Sequence, residues 1–240
     1  MEADCSPGYK RWVQRCFVAG TDTGVGKTEV ASALLRALAH RGLRPWAFKP
    51  YESGVRRRAA PEDASALRAA AGGWQPLATV SLHRFRAPLA PGVAARLEGR
   101  RPSWRATLAA FRRLGPGPGV AEGAGGLLVP LDARRDVVDL AKALALPVVL
   151  VARAGLGTLN HTRLSLEALH TRRLPVAAVV LVASTRTGDA SVATNRAELR
   201  RRFPRLPVLG PVPYAASASA RARALAPCAE ALLALPEVRR

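Results

Sequence analysis

Residues 20–28 read Gly-Thr-Asp-Thr-Gly-Val-Gly-Lys-Thr, and this stretch decides the fold. It directly follows an apolar run at 15–19 that is predicted to be a strand. It also opens a segment in which Val30, Leu34 and Leu38 recur every four residues, as on one face of a helix. Glycines in a strand-to-helix turn let backbone N–H groups point inward around phosphate oxygens, and the helix N-terminus adds partial positive charge. The stretch therefore predicts the phosphate-binding loop (P-loop) of a nucleotide-binding α/β protein.

Two residues at the end of this loop carry the expected chemistry. The Lys27 ammonium suits the β- and γ-phosphates, and the Thr28 hydroxyl suits Mg²⁺. The spacing departs from the standard motif, because Thr21 stands where the first glycine is usual and Gly20 lies one position earlier. A chance glycine-rich turn is the alternative interpretation, and the flanking strand and helix argue against it.

Short apolar runs alternate with helical patterns along the rest of the chain. Strands are predicted at 15–19, 45–49, 119–122, 147–152, 176–183 and 207–209, and helices near 27–41, 63–71, 103–114, 137–146, 159–172, 190–202 and 220–235. Strands that are apolar on both faces indicate a parallel sheet covered by helices on each side. We therefore expect a three-layer α/β/α fold with a mostly parallel central sheet. It is expected to be a single domain over 15–240, preceded by a loose extension at 1–14.

Lysine and acidic residues are scarce, and their positions are informative for that reason. Of 37 basic residues only four are Lys, and two of these, Lys27 and Lys49, follow the first and second predicted strands. Ligands of parallel α/β sheets bind at that edge, and a compact ammonium is not interchangeable with a guanidinium. Glu122 ends the third strand, where a carboxylate is a natural Mg²⁺ ligand. Asp63 begins a helix, and spacing alone leaves an N-cap and a ligand equally open.

A formal charge of +20 raises the possibility of nucleic-acid binding. The basic residues are mostly Arg, spread along the chain without an interleaved set of aromatic side chains on which bases stack. We therefore expect a basic solvated surface and no specific nucleic-acid function.

The apolar runs and the cysteines bear on location. The longest runs, 144–152 and 174–183, fall well short of the ~20 residues that span a bilayer, so no membrane span is expected. No apolar stretch of useful length follows the basic residues at 10 and 11, so a signal peptide is not predicted. Cys5, Cys16 and Cys228 show no CxxC spacing. A reducing cytoplasm is therefore the expected location.

The chain resembles the dethiobiotin synthetase family over residues 16–214, because separated blocks occur in that family's order. The blocks are the loop at 20–28, Lys49-Pro-x-x-Ser53-Gly54, Asp63, Phe85…Pro88…Pro91…Ala94-Ala95…Glu98-Gly99, Glu122-Gly-Ala-Gly-Gly-Leu-Leu-Val-Pro-Leu131, Gly155-Leu-Gly-Thr-Leu-Asn-His-Thr162, and Leu209-Gly210…Pro213. The loop alone indicates only a nucleotide enzyme, whereas its combination with the glutamate block and the block at 155–162 is specific. The family's loop carries the extra residue, which accounts for the position of Gly20.

The resemblance implies an ATP-dependent cyclo-ligase of biotin biosynthesis. Its substrates would be 7,8-diaminononanoate (7,8-diaminopelargonate), CO2 and MgATP. One amine forms a carbamate, which attacks the γ-phosphate to give a carbamic–phosphoric anhydride, and the second amine then closes the ureido ring of dethiobiotin. Two alternatives stay open: a related P-loop ligase or amidotransferase with another substrate, and a non-catalytic P-loop switch ATPase.

The resemblance also implies roles for individual residues. Lys27 and Lys49 would be catalytic, and Thr28, Asp63 and Glu122 would hold Mg²⁺. ATP would contact Gly24, Val25, Gly26, Lys27, Thr28, Glu29, Asp63, Glu122, Gly123, Ala124, Gly125, Ser184, Thr185, Pro213, Tyr214 and Ala215. The diamine substrate would contact Thr23, Ser53, Thr158, Leu159 and Asn160, of which the last three lie at a helix start and receive its carboxylate from the neighbouring subunit of a homodimer.

One departure from the family concerns the base of the nucleotide. Ser184 and Thr185 stand where the family usually has Asn-Asp for adenine. A hydroxyl is a shorter and less specific partner than an amide, which both donates and accepts. Pro213 and Tyr214 are then expected to carry more of the recognition. We predict loose discrimination among ATP, CTP and GTP.

Overall fold

The computed structural model describes residues 14–183, 185, 186 and 189–235. The predicted extension at 1–14 therefore lies, except for Gln14, outside the described residues. The strands are β1 Arg15–Gly20, β2 Trp46–Phe48, β3 Tyr51–Glu52, β4 His83–Arg84, β5 Gly119–Gly126, β6 Val148–Arg153, β7 Val176–Val182 and β8 Val208–Val212. The helices are α1 Lys27–His40, α2 Glu62–Ala70, α3 Leu77–Val80, α4 Pro91–Leu97, α5 Trp104–Arg113, α6 Val137–Leu144, α7 Thr158–Thr171, α8 Ser191–Arg202 and α9 Ala218–Leu233.

A six-stranded sheet forms the centre of the molecule, in the order β2-β5-β1-β6-β7-β8. Every neighbouring pair in it is parallel. The prediction of a mostly parallel central sheet is therefore confirmed. Strand β1 lies between β5 and β6, and β2 is next to β5. Because β1, β2 and β5 are parallel, the turns that follow them all lie at the same edge of the sheet.

The sheet is buried on both faces because successive side chains of each strand point to opposite sides. In β1, Cys16 and Val18 belong to a core that includes α1, α2 and α9. Phe17 and Ala19 belong to a second core, on the other face, that includes α6 and α7. This arrangement matches the continuous apolar runs from which a sheet covered on both faces was predicted.

Residues 51–52 and 71–102 contain elements that the pattern of apolar residues did not predict. Strands β3 and β4 have two residues each and pair in parallel, while α3 and α4 have four and seven residues. Elements this short contain too few residues for a period of two or 3.6 to be recognised. In the same region the buried Gln75 side chain accepts from Ala47 N at 2.6 Å and donates to Ala47 O at 3.3 Å, which satisfies the outer backbone edge of β2.

No helix within the described ranges is long and apolar enough to cross a membrane.

Candidate active site

The P-loop begins at the end of β1 and terminates at Gly26, which caps α1. Gly26 adopts φ 97°, in the left-handed region that favours glycine. A Cβ at that position would also lie 3.1 Å from the Val182 Cγ1 atom. The loop therefore needs glycine here for two reasons, conformation and close packing against β7.

The Lys27 side chain runs back along the loop toward the end of β1. It is buried, and its Nζ donates to the Asp22 carbonyl oxygen at 2.7 Å. An ideal Cβ built on Gly20 would lie 2.8 Å from Lys27 Cδ, so the side chain passes through the space that any other residue would fill. Burial lowers the pKa of Lys27 to about 8, although the charge of Glu122 opposes that change.

Asp22 has a local role in the loop. Its Oδ1 accepts from Thr23 N at 2.7 Å, and its Oδ2 lies 3.6 Å from Nη2 of Arg153 at the end of β6. Both side chains of this ion pair are about half exposed, so its contribution to stability is small. The hydrogen bond to Thr23 orders the outer part of the turn.

A second cluster forms around Lys49, which follows β2. Its Nζ lies 2.5 Å from Glu122 Oε1 and 2.9 Å from Asp63 Oδ2. Glu122 is brought here by β5, in register with Val18 of the adjacent β1. Burial by itself would lower the pKa of Lys49, but the charges and hydrogen bonds of Glu122 and Asp63 outweigh it and hold the pKa above its ordinary value. Lys49 is therefore a fixed positive charge.

Thr28 joins the two clusters. Its hydroxyl donates to Glu122 Oε1 at 2.9 Å, and Thr28 is also among the residues that lower the pKa of the Asp63 carboxyl. Burial raises the pKa of Asp63, while the charge and hydrogen bond of Lys49 lower it by more, so that it lies below its ordinary value. The three residues predicted to hold Mg²⁺ thus meet at one point.

The donor set at this point fits Mg²⁺. Glu122 Oε2 is buried and has no hydrogen-bond partner among the residues that the structure describes, so one carboxylate oxygen is unused. Two carboxylates and a hydroxyl are available, and within the described ranges there is no cluster of three or more His, Cys, Asp or Glu side chains that would hold a metal by themselves. Mg²⁺ is commonly bound by one or two carboxylates together with phosphates and waters.

These residues line a cavity of about 620 Å³. Of the predicted site residues, its wall contains Thr23, Gly24, Gly26, Lys27, Thr28, Glu29, Lys49, Ser53, Asp63, Glu122, Ala124 and Gly125. Four carboxylates and two ammonium groups line it, so its wall is formally anionic and favours a cation. The opposite wall is formed by the segment from Pro88 to Pro91.

A smaller cavity of about 140 Å³ lies on the other side of the P-loop. Its wall contains the predicted residues Gly24, Val25, Gly26, Glu29, Pro213, Tyr214 and Ala215. It also contains Arg221 of α9, whose Nη1 donates to Glu29 Oε1 at 2.6 Å. The two cavities share Gly24, Gly26 and Glu29, so one elongated molecule can extend across the loop from one to the other.

The start of α7 lies apart from both cavities. Thr158 is buried and its hydroxyl lies 3.3 Å from that of Thr162, while Leu159 and Asn160 line a separate groove against α8. Gly157 caps the helix, and Leu156 before it is 82% exposed. The three residues predicted to receive a carboxylate are therefore not brought to the P-loop within one subunit.

Of the other predicted residues that the structure describes, Gly123 and Thr185 do not line these two cavities. Gly123 packs inward, where a Cβ would lie 2.7 Å from Val137 Cγ1. Thr185 is exposed, and Ser184 lies outside the described residues.

Sequence reasoning missed two charged residues of the cavity walls. Glu52 was passed over although it lies inside the Lys-Pro-x-x-Ser-Gly block, where its acidic character was a usable signal. Arg221 gave no local signal, because its partner Glu29 is 192 residues away.

Comparison with known proteins gives one consistent result. A family model described as an AAA domain matches residues 14–222. A protein of Anaeromyxobacter dehalogenans (strain 2CP-C) named ATP-dependent dethiobiotin synthetase BioD is 51% identical over 211 residues, which are 87% of this chain and 94% of that protein. Proteins of the same name from Agrobacterium fabrum and Bacillus subtilis (strain 168) are 39% and 35% identical and cover 82% and 84% of this chain, and 89% and 87% of their own lengths.

Among solved structures, the cell division protein FtsY of Thermotoga maritima aligns with 93% of this chain and 72% of that chain. The TM-score is 0.45 at 12% identity, too low for the likeness to bear on the site.

Proposed function

The chain belongs to the ATP-dependent dethiobiotin synthetase family, and we propose that it closes the ureido ring of dethiobiotin from 7,8-diaminononanoate, CO2 and ATP. The related P-loop ligase and the switch ATPase are the alternatives that the experiment below addresses. The proposal takes ATP as the substrate that is split and the diamine as the substrate that is cyclised.

The observation that carries the proposal is the pair of lysines in one cavity. Lys27 belongs to the P-loop, and Lys49 belongs to the Lys-Pro-x-x-Ser-Gly turn that also brings Ser53 to the cavity wall. A P-loop alone serves any nucleotide enzyme. A second, buried and permanently charged ammonium beside a hydroxyl suits an anionic intermediate such as a carbamate.

In the proposed reaction the residues of the chain position the reactants and neutralise charge. Lys27 exchanges the Asp22 carbonyl for phosphate oxygens, and Lys49 faces the carbamate and the γ-phosphate. The carbamate oxygen forms a bond to phosphorus as the bond to ADP breaks, and the second amine then displaces phosphate from the carbamate carbon. Ser53 and Thr23 orient the diamine.

Mg²⁺ is proposed to be held by Thr28, Asp63 and Glu122. When bound, it neutralises charge on the β- and γ-phosphates. The unused oxygen of Glu122 supports this assignment.

A homodimer is proposed because the start of α7 is remote from the cavity of its own subunit. Leu156, Leu159 and Leu164 are exposed around this helix start, by 82%, 37% and 56%, and an apolar patch of this kind favours contact with another protein surface. The Thr158, Leu159 and Asn160 amides would then receive the substrate carboxylate across the interface. Light scattering should give about twice the 25.4 kDa chain mass, and a monomer at assay concentrations would overturn this part of the proposal.

Two further parts of the proposal concern location and base preference. We place the protein in the cytoplasm, which is supported by the free Cys16 and Cys228 thiols. We also propose that the protein discriminates only loosely among nucleotide bases. A comparison of the kinetics with ATP, CTP and GTP tests this proposal and does not depend on where Ser184 lies.

The experiment is an assay of the purified protein with the diamine, bicarbonate and MgATP, in which ADP and the cyclic urea are both measured. We expect one ADP to be formed for each cyclic urea, and turnover to stop when the diamine is left out. ATP hydrolysis that continues without the diamine and gives no cyclic product would refute the proposal and favour the switch ATPase.

A further inference from the structure

Glu52 makes two hydrogen bonds that its place in the sequence does not suggest. The residue ends β3 and is 5% exposed. Its Oε1 accepts from Asp63 N at 2.9 Å, and its Oε2 accepts from Ala64 N at 3.1 Å. Both donors belong to the first turn of α2, whose amides have no partner inside the helix.

Helix α2 has no local side chain to perform this task. Its N-cap residue is Pro61, whose side chain has no hydrogen-bonding group. In most helices the N-cap residue itself supplies the oxygen, from Ser, Thr, Asp or Asn. Here the cap comes from the Lys-Pro-x-x-Ser-Gly turn, so the start of α2 is tied to the turn that carries Lys49 and Ser53.

The residue anchored in this way is Asp63. Its carboxylate reaches Lys49 Nζ at 2.9 Å, and its side chain is 45% exposed. The carboxylate is held by its ion pair with Lys49 and by its own backbone, whose N–H donates to Glu52. The two hydrogen bonds that Glu52 accepts therefore help to fix where this carboxylate lies relative to Thr28 and Glu122.

The cap brings another carboxylate into the wall of an already anionic cavity. A neutral cap at residue 61 would satisfy the same amides without that cost in electrostatic free energy. The two amides and the start of α2 already stabilise this charge, and a cation bound in the cavity would stabilise it further.

We propose that Glu52 is a positioning residue for Mg²⁺ and that it acts by capping α2 so that the Asp63 carboxylate lies beside Thr28 and Glu122. The inference rests on the proposed function and deepens it. In this role Glu52 acts through Asp63, since its two oxygens accept from the Asp63 and Ala64 amides.

The test is Glu52→Gln. The amide keeps the shape of the side chain but replaces one acceptor by an NH2 group that faces a backbone N–H, so one cap bond is lost. With a non-hydrolysable ATP analogue bound, we expect the Kd for Mn²⁺, read by electron paramagnetic resonance as a probe for Mg²⁺, to rise about tenfold, as for other groups that orient metal ligands. Binding of the analogue without metal should be unchanged.

The matched control is Glu62→Gln. It removes the same charge from the neighbouring residue of α2, whose side chain is 88% exposed and lies 3.8 Å from an Arg56 nitrogen. We expect its Kd for Mn²⁺ to equal that of the unaltered protein. An equal Kd for the two variants would overturn the proposal.

A rescue variant separates capping from charge. Pro61→Ser places an ordinary cap oxygen at the N-cap position of α2, within reach of the same two amides. In the double variant with Glu52→Gln, we expect Mn²⁺ affinity to return to within about threefold of the original, because only the cap has been restored. A double variant that folds and still binds Mn²⁺ about tenfold more weakly than the unaltered protein would overturn the proposal, and this outcome can be read even if Glu52→Gln alone does not fold.

The Mn²⁺ measurements do not depend on the diamine. If no cyclic urea is formed by any variant while Glu52→Gln still weakens Mn²⁺ binding, the proposed function fails and the positioning role stands. If turnover is normal and Glu52→Gln leaves Mn²⁺ binding unaffected, the proposed function stands and the positioning role of Glu52 fails.

Discussion

At the scale of single residues, Gly20 and Lys27 explain why the P-loop begins with an early glycine. The aliphatic part of Lys27 occupies the space beside Gly20, and its ammonium donates to the Asp22 carbonyl. The glycine therefore provides room for the Lys27 side chain. In the absence of a nucleotide, the Asp22 carbonyl accepts a hydrogen bond from the ammonium group that is expected to bind phosphate.

Gly20→Ala should weaken nucleotide binding more than folding. The new Cβ would lie 2.8 Å from Lys27 Cδ and 2.9 Å from the Asp22 carbonyl oxygen, so Lys27 has to leave its path. We expect a loss of about 1–3 kcal/mol in ATP affinity, the usual range for overpacking, measured by calorimetry. Gly117→Ala is the control, because nothing lies within 4 Å of a Cβ there. Equal ATP affinities for the two variants would contradict the role given to Gly20.

Nucleotide affinity should fall at alkaline pH. Burial lowers the pKa of Lys27 to about 8, so above that pH the empty site loses the charge that phosphates need. We expect the Kd of a non-hydrolysable ATP analogue to be constant below pH 7 and to rise about tenfold for each unit well above pH 8.

The contribution of Lys27 to the free energy of unfolding, in contrast, increases as the pH rises. Between pH 8 and 10.5 the unfolded chain holds the Lys27 proton and the folded chain does not, so this group makes unfolding less favourable as the pH rises.

Two variants serve as controls for the pH dependence of nucleotide binding. Lys142→Met alters an exposed lysine and should keep the binding profile, whereas Lys27→Met should bind the nucleotide weakly at every pH. A Kd that stays constant up to pH 9.5 would contradict the lowered pKa.

At the scale of elements, α8 fixes the turn that leads into α7. The buried Asn195 donates from Nδ2 to the Ala154 carbonyl at 2.8 Å and to the Gly155 carbonyl at 3.1 Å. Asp189, just before α8, accepts from Leu156 N at 2.9 Å. Helix α8 and the residue just before it thus hold the start of the preceding helix, α7, where the substrate carboxylate is proposed to bind.

Asn195→Ala should loosen this turn. Two buried carbonyls lose a donor, which we expect to lower the free energy of unfolding by ~2 kcal/mol in urea titrations. If the start of α7 binds the diamine, the KM for the diamine should rise while the KM for ATP stays the same. Thr194→Ala alters the exposed neighbour and is the control. An unchanged diamine KM in a destabilised variant would argue against a role of this helix start in substrate binding.

The elements that could be predicted are those with enough length to show a period. Strand β7 is a seven-residue apolar run, and α1 repeats its apolar residues over three turns. Glu122 was expected in the site because parallel strands end at one edge, and Asp63 because of the resemblance to the family. The cap from Glu52 to α2 and the pair of Arg221 with Glu29 were not predicted, because each joins side chains of different elements without any local pattern.

At the scale of the whole molecule, one of the two cores holds both described cysteines away from solvent. Cys16 of β1 and Cys228 of α9 belong to the same core. Burial raises the pKa of Cys16 to about 12 and that of Cys228 to about 11. Both thiols are therefore inert in the folded protein.

Alkylation of these thiols should report global unfolding. In a Cys5→Ser background, we expect iodoacetamide to label Cys16 and Cys228 at the same rate across a urea series, measured by mass spectrometry, because α9 and β1 share one core. The rate at each urea concentration should follow the unfolded population. Labelling of Cys228 well before Cys16 would show that α9 opens by itself.

The sign of charge inside the main cavity is opposite to that of the chain as a whole. The protein carries a formal charge of +20, whereas its cavity wall holds four carboxylates against two ammonium groups. A cationic exterior concentrates polyphosphates near the molecule, and an anionic interior repels those that arrive without a divalent cation. We therefore expect the cavity to favour the magnesium complex of ATP over free ATP, because the complex carries less negative charge.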